Sequence, residues 1–338
     1  MLTIINGLPE GLLDLESRQL ANVLKGPTLL HLEGRRDETL FVSVLLHGNE
    51  PTGWEAIRRL LKEYDAGGGD KPLPRNLSLF IGNVQAAQSG LRRLDGQPDY
   101  NRVWPGGEQT DTPEGAMIQL VVDTMTQRNL FASIDIHNNT GINPHYGCIN
   151  VVDNRFLRLA LLFSRLVIYF IRPAGVQSLA MARHCPAVTI EAGKVGDEAG
   201  IEHTLQFIDA CLHLSELSDE PLHHEEVDLF HTVATVKVPP EISFTFDGAG
   251  ETLDFHRELE RFNFSELPAG TVWAEVDGTG VPLEVISENG NPVTGRYFMN
   301  DDGVLKNRIA VMPSMLTSDH RVIEQDCLCY LMERWQHV

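Results

Sequence analysis

Short apolar runs and amphipathic stretches alternate along residues 28–214, and this alternation restricts the chain to a small set of folds. The short runs are rich in β-branched and aromatic residues, as strands are, and the stretches between them space their apolar residues as helices do. Strands that alternate with helices are typical of an α/β domain, in which helices cover the faces of a central sheet. The predicted strands are 28–33, 41–46, 77–82, 131–136, 147–152, 167–171 and 187–191. The predicted helices are 12–24, 52–64, 114–127, 154–166 and 198–214.

The pattern changes after the polar segment SELSDEPLHHEEVD, residues 215–228. Beyond it, strand-like runs such as TVATVKV, GTVWAEV and NRIAVM are separated by glycine and proline residues, which mark turns. We therefore predict an α/β domain over residues 1–220 and a smaller, mostly β domain over residues 229–338.

The charge of the chain argues against nucleic acid as a partner. The sequence has 27 Lys and Arg residues against 47 Asp and Glu residues, which gives a formal net charge of −20. Binding to a phosphate backbone needs a basic surface, so this excess of acidic residues predicts a protein that does not bind nucleic acid.

The sequence also predicts a cytoplasmic protein without a membrane segment. The start of the chain, MLTIINGLPEGLLDLES, has neither the basic beginning nor the apolar centre of a signal peptide. The most apolar stretch, FLRLALLFSRLVIYFI, contains two arginines and is too short to span a bilayer. The five cysteines form no CxxC pair, which argues against a disulfide framework or a cysteine zinc site and fits a reducing compartment.

Histidine and glutamate follow the apolar runs at three places. In FVSVLLHGNEPTGWEAIRRLL, His47 follows a predicted strand and Glu50 stands just before a predicted helix. ASIDIHNNTG places His137 after a second strand, and PAVTIEAG places Glu191 in the same way. Ligands of open α/β sheets bind beyond the carboxyl ends of the strands, so we expect these side chains to lie together. Two imidazoles and a carboxylate are usual ligands of a catalytic zinc, and a further glutamate can serve as base.

The same residues could also have purely structural roles. Glu50 would then only cap the helix that starts near Thr52, and His137 would be anchored by Asp135 or Asn139.

These motifs resemble the succinylglutamate desuccinylase/aspartoacylase family, the deacylase branch of the zinc-carboxypeptidase fold. The resemblance rests on HGNE, DIHNNTG and IEAG, in this order along the chain. Between them, NVQAAQSGLRRLDGQPDYNRVWPGG resembles the family's stretch in which an arginine precedes an Asp-Leu-Asn-Arg tetrad, with residues 99–102 standing for the tetrad. The fold implied is a mixed central sheet flanked by helices, followed by a smaller, mostly β C-terminal domain that borders the active-site entrance.

The resemblance implies a role for each matching residue. One Zn²⁺ per chain would be held by His47, Glu50 and His137, and Glu191 would act as general base and acid. Arg92 would face the scissile carbonyl oxygen, while Asn101 and Arg102 would hold a substrate carboxylate. A guanidinium suits both tasks, because it recognises carboxylates in a bidentate manner and stabilises negative charge that develops on oxygen. The sequence leaves open whether Arg92 or its neighbour Arg93 faces the carbonyl.

Departures from the family pattern limit the substrate prediction. HNNT is nearer to the aspartoacylase pattern and KVGD follows the base glutamate, so we expect Asn138 and Lys194 to contact the substrate. The arginine and serine that aspartoacylase carries before its base have no clear match; Gln177-Ser178 is the nearest pair, and Arg183 is a substitute. N-acetylaspartate itself is therefore not predicted.

The expected activity is zinc-dependent removal of the acyl group from an N-acyl amino acid or a related small carboxylate. Two alternatives remain open from the sequence: a metallocarboxypeptidase that acts on small peptides, and a protein that binds a metal or ligand without turnover. The sequence does not determine the acyl group, the amino acid, or whether the chain forms a homo-oligomer.

Overall fold

The computed structural model describes residues 1–223, 225–248 and 250–335. Backbone contacts divide the chain into two compact units. The first comprises Met1–Asn138 and His145–Leu229, and the second comprises Asn139–Pro144 and the described residues from Phe230 onward. Residues 249 and 336–338 of the predicted second domain lie outside the described part.

The first unit is a mixed sheet flanked by helices, which confirms the predicted fold class. Its strands are β1 (Thr3–Asn6), β2 (Thr28–Leu32), β3 (Thr39–Val44), β4 (Asn76–Ile81), β5 (Leu130–Asn139), β6 (Tyr146–Ile149), β7 (Leu166–Tyr169) and β8 (Ala187–Lys194). Its α-helices are α1 (Thr52–Leu61), α2 (Val84–Ser89), α3 (Pro113–Thr126), α4 (Asn154–Leu161), α5 (Gln177–Met181) and α6 (Glu198–His213). The strand order is β1-β2-β4-β3-β5-β8-β6-β7.

The centre of this sheet is parallel and buried. Strand β3 pairs in parallel with β4 on one side and with β5 on the other, while β2 is antiparallel to β4 and β6 is antiparallel to β8. Every residue of β3 is buried, as expected for a strand that helices cover on both faces. The carboxyl ends of β3 and β5 therefore lie at one edge of the sheet, where the sequence predicts the metal site.

Gly53 lets the start of α1 lie close to the sheet. A Cβ atom at this position would lie 2.9 Å from Ile136 Cβ and from Val44 Cγ1. Contacts this short do not occur between carbon atoms in folded proteins, so a larger residue would push α1 away from β3 and β5. The close packing that Gly53 permits thus keeps Glu50, just before α1, near the ends of both strands.

The prediction of a helix over residues 12–24 is wrong. The structure forms two short 3-10 helices instead, Leu12–Asp14 and Ser17–Asn22. Leu15 between them is extended, with φ −90° and ψ 136°, and its carbonyl oxygen accepts a hydrogen bond from Trp54 Nε1 at 2.9 Å. The leucines of this segment have helix-like spacing because each of the two short helices buries leucine side chains on one side.

Other predicted elements are displaced or were missed. The helices predicted over 52–64 and 154–166 end earlier, at Leu61 and Leu161. In the second helix the residues beyond this point form a turn and the start of β7. Strand β1 and the short helices α2 and α5 were not predicted, because each is too short to show a periodic pattern.

The second unit is mostly β structure, also as predicted. Its strands are β9 (Asp228–Lys237), β10 (Phe244–Thr245), β11 (Leu253–Phe255), β12 (Val272–Val276), β13 (Glu284–Ser287), β14 (Phe298–Asp301), β15 (Val304–Asn307), β16 (Met312–Ser314) and β17 (Cys329–Arg334). Its short α-helices are α7 (Thr294–Tyr297) and α8 (His320–Gln325), and Leu259–Phe262 forms a 3-10 turn. The run NRIAVM was predicted as a strand, but it mostly connects β15 to β16.

The strands of this unit form two groups around an aromatic core. Strand β9 pairs with β13 and β17, and β17 pairs with β16. The other five strands have the order β10-β11-β12-β15-β14. Trp273 and Phe298 are fully buried, with ring centres 5.1 Å apart. Their rings meet edge to face, an arrangement that aromatic pairs prefer.

Among the described residues, no helix has both the length and the hydrophobicity that crossing a membrane requires.

Arg75 is a fully buried cation at the carboxyl end of α6. Its Nε donates a hydrogen bond to the Leu212 carbonyl at 3.1 Å, and its Nη2 donates to the Leu214 carbonyl. Its guanidinium also lies 3.5 Å from the centre of the Phe131 ring. The negative end of the helix dipole and the face of the ring therefore replace the water that this charge loses on burial.

We expect Arg75→Met to lower the free energy of unfolding by about 1–3 kcal/mol, because the Leu212 carbonyl of the buried helix end loses its charged donor. Arg36→Met is the matched control. Arg36 binds the His213 and Leu214 carbonyls from a position that is only partly buried, so its loss should cost less than about 1 kcal/mol. Urea denaturation of the two variants measures the difference, and equal losses would show that the burial of Arg75 contributes nothing.

Candidate metal centre

The turn after β3 fixes His47 and Glu50 in place. A Cβ atom at Gly48 would lie 2.2 Å from the backbone of α2, so only glycine allows this close approach. Gly48 N donates a hydrogen bond to the Arg92 carbonyl at 3.1 Å, and Glu50 N donates to the His47 carbonyl at 3.2 Å. The sequence HGNE therefore forms a rigid turn that presents an imidazole and a carboxylate to the same space.

Glu50 lies between two imidazoles. Its Oε1 is 2.8 Å from His47 Nδ1, and its Oε2 is 2.7 Å from His137 Nδ1. The two rings have centres 4.8 Å apart, and all three side chains are buried. One ligand atom from each residue lies within 4.8 Å of the other two. The structure thus brings together the three residues that the sequence selects as metal ligands.

The outer nitrogen of each imidazole contacts a carboxylate. His47 Nε2 lies 3.0 Å from Asp99 Oδ1, and His137 Nε2 lies 2.9 Å from Asp135 Oδ2. Ser43 Oγ in turn donates a hydrogen bond to Asp135 at 2.6 Å. Carboxylates at the outer nitrogens of metal-binding histidines orient the rings and make the inner nitrogens better ligands. Both Nδ1 atoms are therefore held toward Glu50.

Sequence reasoning did not identify this outer layer as part of the site. Asp99 was noted only as a member of the tetrad, and Asp135 only as a structural anchor for His137. A usable signal was present for Asp135, because residues two apart on a strand point to the same face. None existed for Asp99, which reaches His47 from a loop far along the chain.

The buried charges depend on one another. Burial raises the pKa of Glu50, but His47 and His137 outweigh this effect and hold the pKa well below its ordinary value. Burial lowers the pKa of His137, but Asp135 and Glu50 raise it well above the usual range. Burial also acts to raise the pKa of Asp99, but Arg92 and His47 outweigh this effect and hold the pKa well below its ordinary value. The carboxylates in this cluster therefore remain ionised only where positive charge lies beside them.

Glu191 is a buried carboxyl group in β8, directly opposite Tyr146 of β6. Its Oε2 has no hydrogen-bond partner among the described residues. Burial raises the pKa of Glu191 to about 8, and the charges of Glu50 and Asp135 act in the same direction. A carboxyl group with a raised pKa and a free oxygen is suited to exchanging protons near neutral pH.

The cluster fits a divalent metal ion. Its carboxyl groups are those of the buried Glu50, Asp135 and Glu191 and of the partly buried Asp99, whereas the guanidinium of the partly buried Arg92 is bound to Asp99. A dication would supply the positive charge that protons on the imidazoles otherwise supply. Two imidazole nitrogens and a carboxylate oxygen are also the donor set that catalytic zinc sites use.

The two adjacent arginines point to different partners. Arg92 donates from Nε and Nη2 to Asp99 Oδ2, at 3.2 and 2.9 Å, and its Nη1 lies 3.8 Å from Glu50 Oε1. Arg93 donates to the carbonyl of Gln97 within its own loop, at 2.7 Å. Arg92 is therefore the one that reaches the metal cluster.

The remaining predicted site residues occupy different surroundings. Asn101 Nδ2 lies 3.3 Å from His137 Nε2, and Arg102 Nη1 donates to the Asn101 carbonyl at 2.8 Å. The Asn138 side-chain amide binds Thr52 and the Gly193 carbonyl, which links α1 to the end of β8. Lys194 is exposed at the last position of β8.

Comparisons with known proteins show which family this chain resembles. The family model of the succinylglutamate desuccinylase/aspartoacylase catalytic domain matches residues 36–215, which include every predicted site residue. A succinylglutamate desuccinylase from Serratia proteamaculans is 26% identical to this chain, and the alignment covers 74% of this chain and 78% of that protein.

Solved structures show the same fold at low sequence identity. A succinylglutamate desuccinylase/aspartoacylase from Rhodobacter sphaeroides has a TM-score of 0.58 at 15% identity, over 90% of this chain and 88% of that chain. Murine aminoacylase 3 has a TM-score of 0.55 at 14% identity, over 89% of this chain and 96% of that chain.

We expect purified protein to carry about one divalent metal ion per chain, and His47→Ala or His137→Ala to lose it, because two ligands bind far more weakly than three. The measurement is metal content by mass spectrometry after dialysis. His184→Ala, at an exposed histidine outside the cluster, should retain the metal. Full occupancy in either cluster variant would show that the ligands have been misassigned.

Proposed function

The chain belongs to the succinylglutamate desuccinylase/aspartoacylase family, and from this we propose that it is a zinc-dependent hydrolase that removes the acyl group from an N-acyl amino acid or a related small carboxylate. The observation that carries the proposal is the buried cluster of His47, Glu50 and His137, with the carboxyl group of Glu191 beside it. The printed names of its relatives, desuccinylase and aminoacylase, support an amide as the bond that is cleaved.

We assign one Zn²⁺ per chain to His47 Nδ1, His137 Nδ1 and the Glu50 carboxylate. Two histidines and a glutamate are a donor set that catalytic zinc uses, and three protein ligands leave a position for water or substrate. When bound there, the ion acts as a Lewis acid and makes water nucleophilic near neutral pH.

Glu191 would move the proton. Its ionised form accepts a proton from the attacking water, and the protonated carboxyl group then donates it to the leaving amine. The raised pKa of about 8 describes the carboxyl group without a nearby dication, which would favour its charged form. The same group can therefore serve as base and then as acid.

Arg92 would stabilise the oxyanion. Its guanidinium is half of an ion pair with Asp99, which holds it rigidly at the edge of the cluster, within 3.8 Å of Glu50. A fixed cation at this place lowers the energy of negative charge that develops on the carbonyl oxygen, without any reorganisation during the reaction.

Arg102 would bind the substrate carboxylate, with Asn101 and Lys194 contributing to the same subsite. The Asn101 amide contacts His137 and accepts a hydrogen bond from Gln177 N at 3.3 Å. It would thus position the loop that carries Arg102. The Asn138 amide is bound to Thr52 and Gly193, and it would contact the substrate while keeping these two hydrogen bonds.

The family match and the surroundings of Glu191 argue against the two alternative functions. A small-peptide carboxypeptidase would use the same ion and base, but the match to a deacylase family favours acyl removal. A binding protein without turnover would have no use for the buried, unpartnered carboxyl oxygen of Glu191. The catalytic role of residues 1–220, the entrance role of residues 229–338 and a cytoplasmic location stay predictions.

The first test concerns Glu191. Glu191→Gln keeps the size of the side chain but cannot accept a proton, so it should retain its zinc and lose about 10²- to 10⁴-fold in kcat. Glu198→Gln, at an exposed glutamate on α6, should behave like the wild type. Loss of zinc in Glu191→Gln would instead make Glu191 a ligand, and unchanged turnover would exclude it as the base.

The second test concerns Arg102. Converting the substrate α-carboxylate to an amide should remove most activity of the wild type, because a guanidinium is left without its anion. The same change should matter far less in Arg102→Ala. The four rates give the coupling, expected at about 2–4 kcal/mol by comparison with other charge pairs across interfaces.

Arg93→Ala is the control, since Arg93 binds its own loop, and it should keep the full dependence on the carboxylate. Losses that add without coupling would remove Arg102 from this role and leave Arg183 or Lys194 as candidates.

A further inference from the structure

A cavity lies in the first unit, away from the metal cluster. It has a volume of about 470 Å³, within the range of about 300–1,000 Å³ that small-molecule sites occupy. Asn76 begins β4 and Arg128 precedes β5, so the cavity lies at the amino ends of the parallel strands. The metal cluster lies at their carboxyl ends. The two sites are therefore at opposite edges of the sheet.

The cavity carries charges of both signs that do not neutralise each other. Glu33 and Asp65 contribute exposed carboxylates, and the half-exposed Arg128 contributes a guanidinium. In the described part of the chain, none of these three groups takes part in a salt bridge. Asp65 Oδ1 accepts hydrogen bonds only from the backbone, at Ala66 N and Leu73 N. Both signs of charge thus remain available to a ligand.

His31 lies in the wall of the cavity. The residue is only 6% exposed, and its Nδ1 lies 2.8 Å from Ser78 Oγ. Its Nε2 is buried and has no hydrogen-bond partner among the described residues. Burial lowers the pKa of His31 to about 4, and the charge of Arg128 adds to this effect. The ring beside Arg128 is therefore neutral near pH 7, and a ligand charge placed next to it would change its surroundings.

We propose that this cavity binds a small zwitterion of the α-amino-acid class, with its carboxylate on Arg128, next to the ring of His31, and its ammonium group on Glu33 and Asp65. A simple anion would approach two carboxylates, and a simple cation would approach a guanidinium. A ligand with both charges meets a partner for each of them.

The proposal has a consequence that rests on the proposed function. Deacylation of an N-acyl amino acid releases a free amino acid, whereas the substrate has lost its ammonium group to the amide bond. The cavity would therefore distinguish product from substrate by a single charge.

The test uses the zinc-loaded enzyme with ¹⁵N-labelled histidine and follows the ring signal of His31 by NMR. The signal is identified by its loss in His31→Gln. The probes are L-alanine, propionate, which lacks the ammonium group, and ethylamine, which lacks the carboxylate. L-Alanine should shift the signal saturably, and the other two should not do so at the same concentrations.

Arg128→Gln should weaken binding of L-alanine about tenfold or more, since it removes a charge-assisted contact, and Glu33→Gln should weaken it as well. Arg155→Gln, at an exposed arginine outside the cavity, is the matched control and should bind L-alanine like the wild type. If His31→Gln does not fold, the half-exposed Arg128 variant still reports binding through the backbone signals that line the cavity.

Several results would overturn the proposal. No saturable shift with L-alanine would exclude amino acids as a class, because the probe carries only the groups that all of them share. Equal binding of propionate would make the cavity an anion site, and equal binding of ethylamine a cation site. Loss of L-alanine binding in Arg102→Ala instead of Arg128→Gln would place the ligand at the catalytic centre. None of these readings depends on turnover, so failure of the proposed reaction would remain distinguishable.

Discussion

The bridge that the Glu50 carboxylate makes between His47 and His137 is the interaction on which the rest of the site depends. It joins the turn after β3 to the end of β5 in a buried space. A carboxylate in such a space is stable only beside positive charge. Protons on the imidazoles or a dication can supply that charge, and the outer carboxylates of Asp99 and Asp135 increase the need for it. The folded arrangement of these carboxylates therefore favours the binding of a metal ion.

The sequence predicted most of the architecture because the decisive signals were local. Apolar runs identified the central strands, and polar residues after those runs identified the edge where the site forms. Prediction failed where tertiary contacts overrode local pattern. Residues 12–24 have helical spacing, yet Leu15 is extended and its carbonyl accepts a hydrogen bond from Trp54 instead of from a helix backbone. The run NRIAVM has strand-like residues, but neither neighbouring strand continues through it.

The site shows the same division between local and distant information. His47, Glu50, His137 and Glu191 could be selected because each follows an apolar run. The partners of their outer atoms could not be selected, since the contact from His47 to Asp99 joins residues from separate loops. Arg92 and Arg93 are indistinguishable as neighbouring letters. Only the backbone path of their loop directs the first toward Glu50 and the second toward Gln97.

We propose that His47, Glu50 and His137 hold a zinc ion next to Glu191. Diffraction data collected on either side of the zinc absorption edge would locate this ion. We expect one strong anomalous peak at bonding distance, about 2.0–2.2 Å, from His47 Nδ1, His137 Nδ1 and a Glu50 oxygen, with Glu191 beside it but not bonded to it. In crystals of the active enzyme, a peak that lies elsewhere, or a peak bonded to Glu191 in place of Glu50, would show that this ligand assignment is wrong.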